Sequence, residues 1–119
     1  MMIEQKILEN PVEYCENKYP ETVQAFKEIM DMEFQVFCSK QMDYGPSNIA
    51  MGTQLKDAAD INLSLTGLVV RMNDKVNRLM NLVVKNNRQA QNEPTIDCFI
   101  DLSVYGVIAQ LVQRGHWGK

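Results

Sequence analysis

The segment Thr95-Ile-Asp-Cys-Phe-Ile-Asp-Leu-Ser-Val-Tyr105 sets the tightest condition on how this chain folds. On a helix, residues three and four apart share one face. Ile96, Ile100, Val104, Ile108 and Leu111 then form an apolar arc, and Asp97 and Asp101 fall inside it. Burying a carboxylate is costly unless a cation or hydrogen bonds compensate. Any fold that uses this helix in its core must therefore bring a positive group to the pair. A metal ion, an arginine and a lysine all satisfy that condition.

Periodicity and punctuation place the other elements. Ile3 to Leu8 reads as a short helix ended by Asn10-Pro11, and residues 11–20 as a connector. Pro20 is suited to open a helix at its first turn. Val23, Phe26, Met30, Phe34 and Phe37 recur at threes and fours, which predicts a helix from about 21 to 41. Asp43-Tyr-Gly-Pro-Ser-Asn48 breaks it, with Gly45-Pro46 as the turn. Ile61, Leu65, Leu68, Met72, Val76, Leu79 and Val83 form an apolar stripe on a long helix from about 58 to 85. Lys85 to Asn92 is polar and reads as a loop. Thr95 is placed to cap the last helix, with Asp97 in its first turn, and that helix runs to about Arg114. The tail from His116 to Lys119 is expected to fray or to dock on a partner. No β-alternation or internal repeat is seen.

The expected fold is all-α: a single domain over 1–119 with three main helices and a short N-terminal one. The last helix is apolar over half its circumference, as in a helix packed on two sides. A homodimer or higher homo-oligomer, its core shared between chains, follows as the expectation.

Composition narrows the function classes. A net charge of −3 argues against a nucleic-acid polymer or an anionic membrane as partner. No run of ~18 apolar residues is uninterrupted, so no membrane span is expected. Cys15, Cys38 and Cys98 are widely spaced, and His116 is the lone histidine. That excludes a Cys/His zinc cluster and points to reduced thiols in the cytoplasm. No long apolar run follows Met1-Met-Ile-Glu-Gln-Lys6, so no signal peptide is expected.

Three polar sets are candidates for chemistry. Asp97 and Asp101 are suited to Mg²⁺, a hard cation that takes oxygen ligands and shares them with phosphate; a structural salt bridge is the alternative. Arg71, Asp74, Lys75 and Arg78 share the side of the long helix opposite its apolar stripe. They read either as a phosphate grip with Asp74 as a further metal ligand, or as a solvated face of ion pairs. Glu33 and Lys40 lie on the apolar arc of the earlier helix. Glu33 is a candidate metal ligand and Lys40 a phosphate contact, or both reach out from the core edge. Asp43 and Tyr44, with Asn48 beyond the turn, complete the substrate-binding set, Tyr44 placed to stack on a base.

Three blocks occur in order: Lys40-Gln-Met-Asp-Tyr-Gly45, Arg71-Met-Asn-Asp-Lys-Val-Asn-Arg78, and Thr95 to Tyr105. Together they resemble the nucleotide-modification-associated domain family of phages and bacteria, which is similar to the all-α MazG-like nucleoside triphosphate pyrophosphohydrolases. The resemblance covers roughly residues 22–112. It implies a helical, oligomeric nucleotide-binding protein. It also implies Mg²⁺-dependent release of monophosphate and pyrophosphate from a (deoxy)nucleoside triphosphate. Asp97 and Asp101 match the acidic pair of the last helix, and Asp74 falls in the charged block of the middle one. These three are the expected catalytic acids, and with Glu33 the expected metal ligands. Lys40, Asp43 and Tyr44 match the Lys-x-x-Asp-Tyr-Gly motif. The chain lacks the Glu-Glu-x-x-Glu cluster of MazG-like enzymes. The alternative expectation is a non-catalytic binder that sequesters a nucleotide signal or handles modified nucleotides, its Asp97 and Asp101 paired with Arg71 and Arg78.

Overall fold

The computed structural model describes residues 10–119, and every helix or strand among them is helical. The elements are α1 (Pro11–Lys18), α2 (Pro20–Tyr44), α3 (Ser47–Ala50), α4 (Ala58–Leu79), a π-helical turn (Met80–Lys85) and α5 (Thr95–Gln113). The expected helix at Ile3–Leu8 lies outside the described residues. The chain divides into two compact units, with the boundary after Gln35.

In the first unit, residues read as a connector form α1. The Asn10 side chain makes this possible by accepting hydrogen bonds from the Val12 N–H at 2.9 Å and the Glu13 N–H at 3.4 Å. Pro11 occupies the first helical position, where its missing N–H costs nothing. Pro20 opens α2 in the same way. Phe26 and Phe34, expected on a buried arc, are 65% and 63% exposed, whereas Glu33 is buried.

The second unit begins at Val36 and holds the end of α2 with α3, α4 and α5. Gly45 ends α2 with a φ of +64°, a left-handed conformation that favours glycine. Asp57 caps α4 by accepting from the Asp60 N–H at 2.8 Å. The Ser64 hydroxyl donates to the Ile49 carbonyl at 2.6 Å and ties α3 to α4. Regular α geometry stops at Leu79, short of the expected residue 85, and the next turn widens into π form. Pro94, not Thr95, takes the cap position of α5, and Thr95 is the first helical residue. Proline has no side-chain acceptor, so its fixed φ alone sets the helix start.

The core joins Ile49, Leu68, Ile108, Val112 and Trp117. The C-terminal tail is therefore structural within the chain. The Trp117 indole N–H donates to the Pro46 carbonyl at 3.0 Å, and its ring meets Phe37 edge-on at 6.1 Å between centroids. Gly115, at φ +74°, lets the chain turn back after α5. By length and composition α5 is apolar enough to cross a membrane, and it packs most extensively on α4.

Trp117→Ala is expected to remove about 3–5 kcal/mol of stability, the usual cost of truncating a buried aromatic. Urea unfolding of full-length wild type and variant measures it. Equal midpoints would mean that the tail adds nothing to the core.

Candidate functional site

The site is organised by the face that α4 turns inward. Ser64, Leu68, Arg71, Lys75, Arg78 and Leu82 follow one another at intervals of four and three, and all are buried or half-buried. The cations thus continue the buried face of α4 rather than lying opposite it. At 100° per residue, this face is rotated roughly 70° from the centre of the apolar stripe that the sequence displays. Val76 and Val83, on the far edge of that stripe, are left 43% and 48% exposed. Asp74, expected as a catalytic and metal-holding acid, precedes Lys75 by one residue and so points elsewhere; it is exposed.

Asp101 receives the cation that its burial demands. Lys75 Nζ lies 3.0 Å from Oδ2, and Lys40 Nζ lies 3.9 Å from Oδ1. The companions are lysines; Arg71 and Arg78, the partners expected under the non-catalytic reading, bond elsewhere. The Lys75 and Asp101 side chains are 27% and 21% exposed, while Lys40 is 60% exposed. The Lys75 contact therefore carries most of the energy, because an exposed pair is screened by water. The hydrogen bond from Lys75 to Asp101 raises the lysine pKa above its ordinary 10.5, and partial burial opposes that rise.

Arg71 and Arg78 are engaged differently. Arg71 Nη2 donates to the Asn48 carbonyl at 3.3 Å, which holds the guanidinium against α3. Arg78 Nη1 donates to Cys98 Sγ at 2.9 Å, and Nη2 donates to the Glu93 carbonyl. The Asn48 side chain accepts from the adjacent Ile49 N–H at 2.9 Å.

Two cavities meet at Asp101. The first, of about 370 Å³, is bounded by the rings of Phe37, Tyr44, Tyr105 and Trp117. Lys40, Gln41, Asn48, Arg71 and Asp101 supply its polar groups. The second, of about 360 Å³, is lined by Lys40, Lys75, Glu93, Asp97 and Asp101 with Val36 and Ile100. Lys40, Tyr44, Asn48, Arg71 and Asp101 are thus gathered at one cavity, and Lys75 and Asp97 at its neighbour. Asp43 and Asp74 line neither. Glu33 belongs to the first unit.

Among the described residues, no three acids, histidines or cysteines are grouped as a metal site. Asp97 and Asp101 remain the acids that α5 presents together. The Asp97 carboxylate has no hydrogen bond or ion pair among the described residues, whereas Asp101 is held by lysine.

Sequence reasoning missed Phe37, Gln41, Tyr105 and Trp117 as parts of one site. Tyr105 carried a signal, since it follows Asp101 by four residues on the same face. Trp117 carried none, because only the chain reversal at Gly115 brings it back.

No family model, curated protein or solved structure matches this chain.

Asp101→Asn is expected to cost about 1–2 kcal/mol at pH 7, between the values for exposed and fully buried pairs. The raised Lys75 pKa contributes stability that is complete below its unfolded value and is lost as pH climbs through the higher folded value. The gap between wild type and variant should therefore close as pH rises above 10.5. Urea unfolding between neutral and strongly alkaline pH tests this; a gap that widens there would contradict the pairing.

Proposed function

We propose that the second unit binds a nucleotide in the aromatic cavity. One observation carries the reading: in a net acidic chain, four rings face the same cavity of about 370 Å³ as Lys40 and Arg71. Flat apolar walls suit a base, which stacks on any aromatic face. The planar fork of Arg71 suits a phosphate, and Lys40 adds a mobile charge. Tyr44, 65% exposed, is free to close over the ring of a ligand. Gln41 and Asn48 offer amides to the base or sugar. The volume lies near the lower end for ligand pockets, which favours a mononucleotide over a dinucleotide. The resemblance of the three sequence blocks to nucleotide-modification-associated domains points the same way.

A pyrophosphohydrolase is the second reading, and Asp97, which has no ion pair among the described residues, favours it from beside Asp101. These two residues would hold Mg²⁺, with Glu93 lining the same cavity. The donor set fits this ion in part, because Mg²⁺ commonly takes one or two carboxylates and completes its shell with water and phosphate. The ion would neutralise charge on the phosphates. Arg71, Lys40 and Lys75 would orient them and offset their remaining charge.

Incubation with pooled nucleoside triphosphates separates the readings. Thermal stabilisation by a nucleotide is expected. Arg71→Gln should weaken that binding about tenfold or more, the usual consequence of losing a charge-assisted hydrogen bond. No stabilisation by any nucleotide would end the proposal. Pyrophosphate release that needs Mg²⁺ and disappears in a folded Asp101→Asn variant would establish the enzyme.

A second copy of this chain is the partner that suits the outward faces of α4 and α5. Val69 and Val76 on α4, Met80 and Val83 on the π-helical turn that continues it, and Ile96, Phe99 and Val107 on α5, are 41–63% exposed. These side chains supply an apolar centre of the kind that a stable interface buries. The outward face of α5 also carries the small residues Ser103 and Gly106 between larger ones, which lets a partner helix approach. Light scattering is expected to give a dimer or larger assembly, and Phe99→Asp a smaller species. A wild-type monomer at micromolar concentration, or sedimentation with lipid vesicles instead, would reject self-association.

A further inference from the structure

We propose a second ligand site, an oxyanion pocket of phosphate class, where the π-helical turn passes into the segment before α5. A cavity of about 220 Å³ there is lined by Arg78, Arg88, Asn81, Gln91 and Asn92. Two arginines, two asparagines and a glutamine thus line it together with Leu82 and Ala90, and no acidic residue does. In both larger cavities Asp101 offsets the cations; this one has no such counter-charge.

Arg78 is positioned but not neutralised. Its two hydrogen bonds go to the Cys98 sulfur and the Glu93 carbonyl, neither of them a carboxylate. The Arg88 guanidinium has no hydrogen bond or ion pair among the described residues. Its backbone is nevertheless fixed, because the Arg88 N–H donates to the Leu82 carbonyl at 3.0 Å across the π turn. The Asn81 side-chain oxygen accepts from Asn86 Nδ2 at 2.8 Å, which leaves the Asn81 amide N–H groups as donors. Two like charges sharing a small volume repel, and an anion between them removes the repulsion. Arginine forks and amide N–H groups match the oxygens of a phosphate. At about 220 Å³ the pocket takes phosphate or pyrophosphate, not a nucleoside with its base. This inference does not depend on the nucleotide reading of the larger cavity.

Calorimetric titration of the full chain with pyrophosphate and with inorganic phosphate tests the site. Pyrophosphate is expected to bind, and Arg88→Gln to weaken it about tenfold or more. Arg88 is exposed, so this variant should fold, as circular dichroism would verify. Arg71→Gln should retain the binding event that Arg88→Gln removes, because any phosphate held in the larger cavity is a separate event that depends on Arg71. A nucleoside triphosphate that displaces pyrophosphate from the Arg71→Gln variant would identify a nucleotide tail as the source of the anion. Failure to displace it would identify the free anion. Absence of binding, an Arg88→Gln variant equal to wild type, or an Arg71→Gln variant that lacks the Arg88-dependent event would each overturn the proposal.

Discussion

The contact between Lys75 and Asp101 organises the second unit. A carboxylate on the inward side of α5 is tolerable only beside a cation, and α4 is the helix that packs most extensively on α5. Lys75 meets the requirement at 3.0 Å. The same contact fixes the rotation of α4, because the residue at position 75 can face inward only if 64, 68, 71, 78 and 82 do so as well. The buried face of α4 is consequently a mixture of apolar and cationic side chains. Part of the more apolar side of the helix is left at the surface.

That exchange explains both the site and the surface. Arg71, Lys75 and Arg78 all lie on the buried face of α4, and each reaches a different cavity. Arg71 stands against aromatic rings, Lys75 against acids, and Arg78 against amides. About 10 Å of helix separates the first from the last. This face of α4 therefore borders three chemically distinct pockets in succession. The displaced apolar residues of α4, with Phe99 and Val107 of α5, form the outward faces for which a second copy is proposed.

Much of this was legible in the chain. Asp97 and Asp101 stood out because carboxylates seldom lie in an apolar arc without a partner. The extents of α2 and α5 followed closely from proline, glycine and threefold–fourfold spacing, since these act through local backbone sterics. α1 was missed because its eight residues lack an apolar stripe; a capping Asn10 and Pro11 make it instead. Thr95 was misread as a cap because the fixed φ of Pro94 already starts the helix. The rotation of α4 was misjudged because hydrophobicity alone favoured the stripe through Val76 and Val83. It could not weigh the need of Asp101 for a cation.

Sequence by itself determined the all-helical class, the punctuation between helices and the presence of an interior negative charge requiring a counter-ion. Those properties are set by backbone sterics, helical period and the solvation energy of single side chains, all of which act locally. Tertiary structure alone decided which cation answers Asp101, why Arg71 and Arg78 part company, and how Trp117 returns to Pro46 and Phe37. Each of these depends on residues far apart in the chain meeting across packed helices, and spacing along one helix does not encode its partner's rotation.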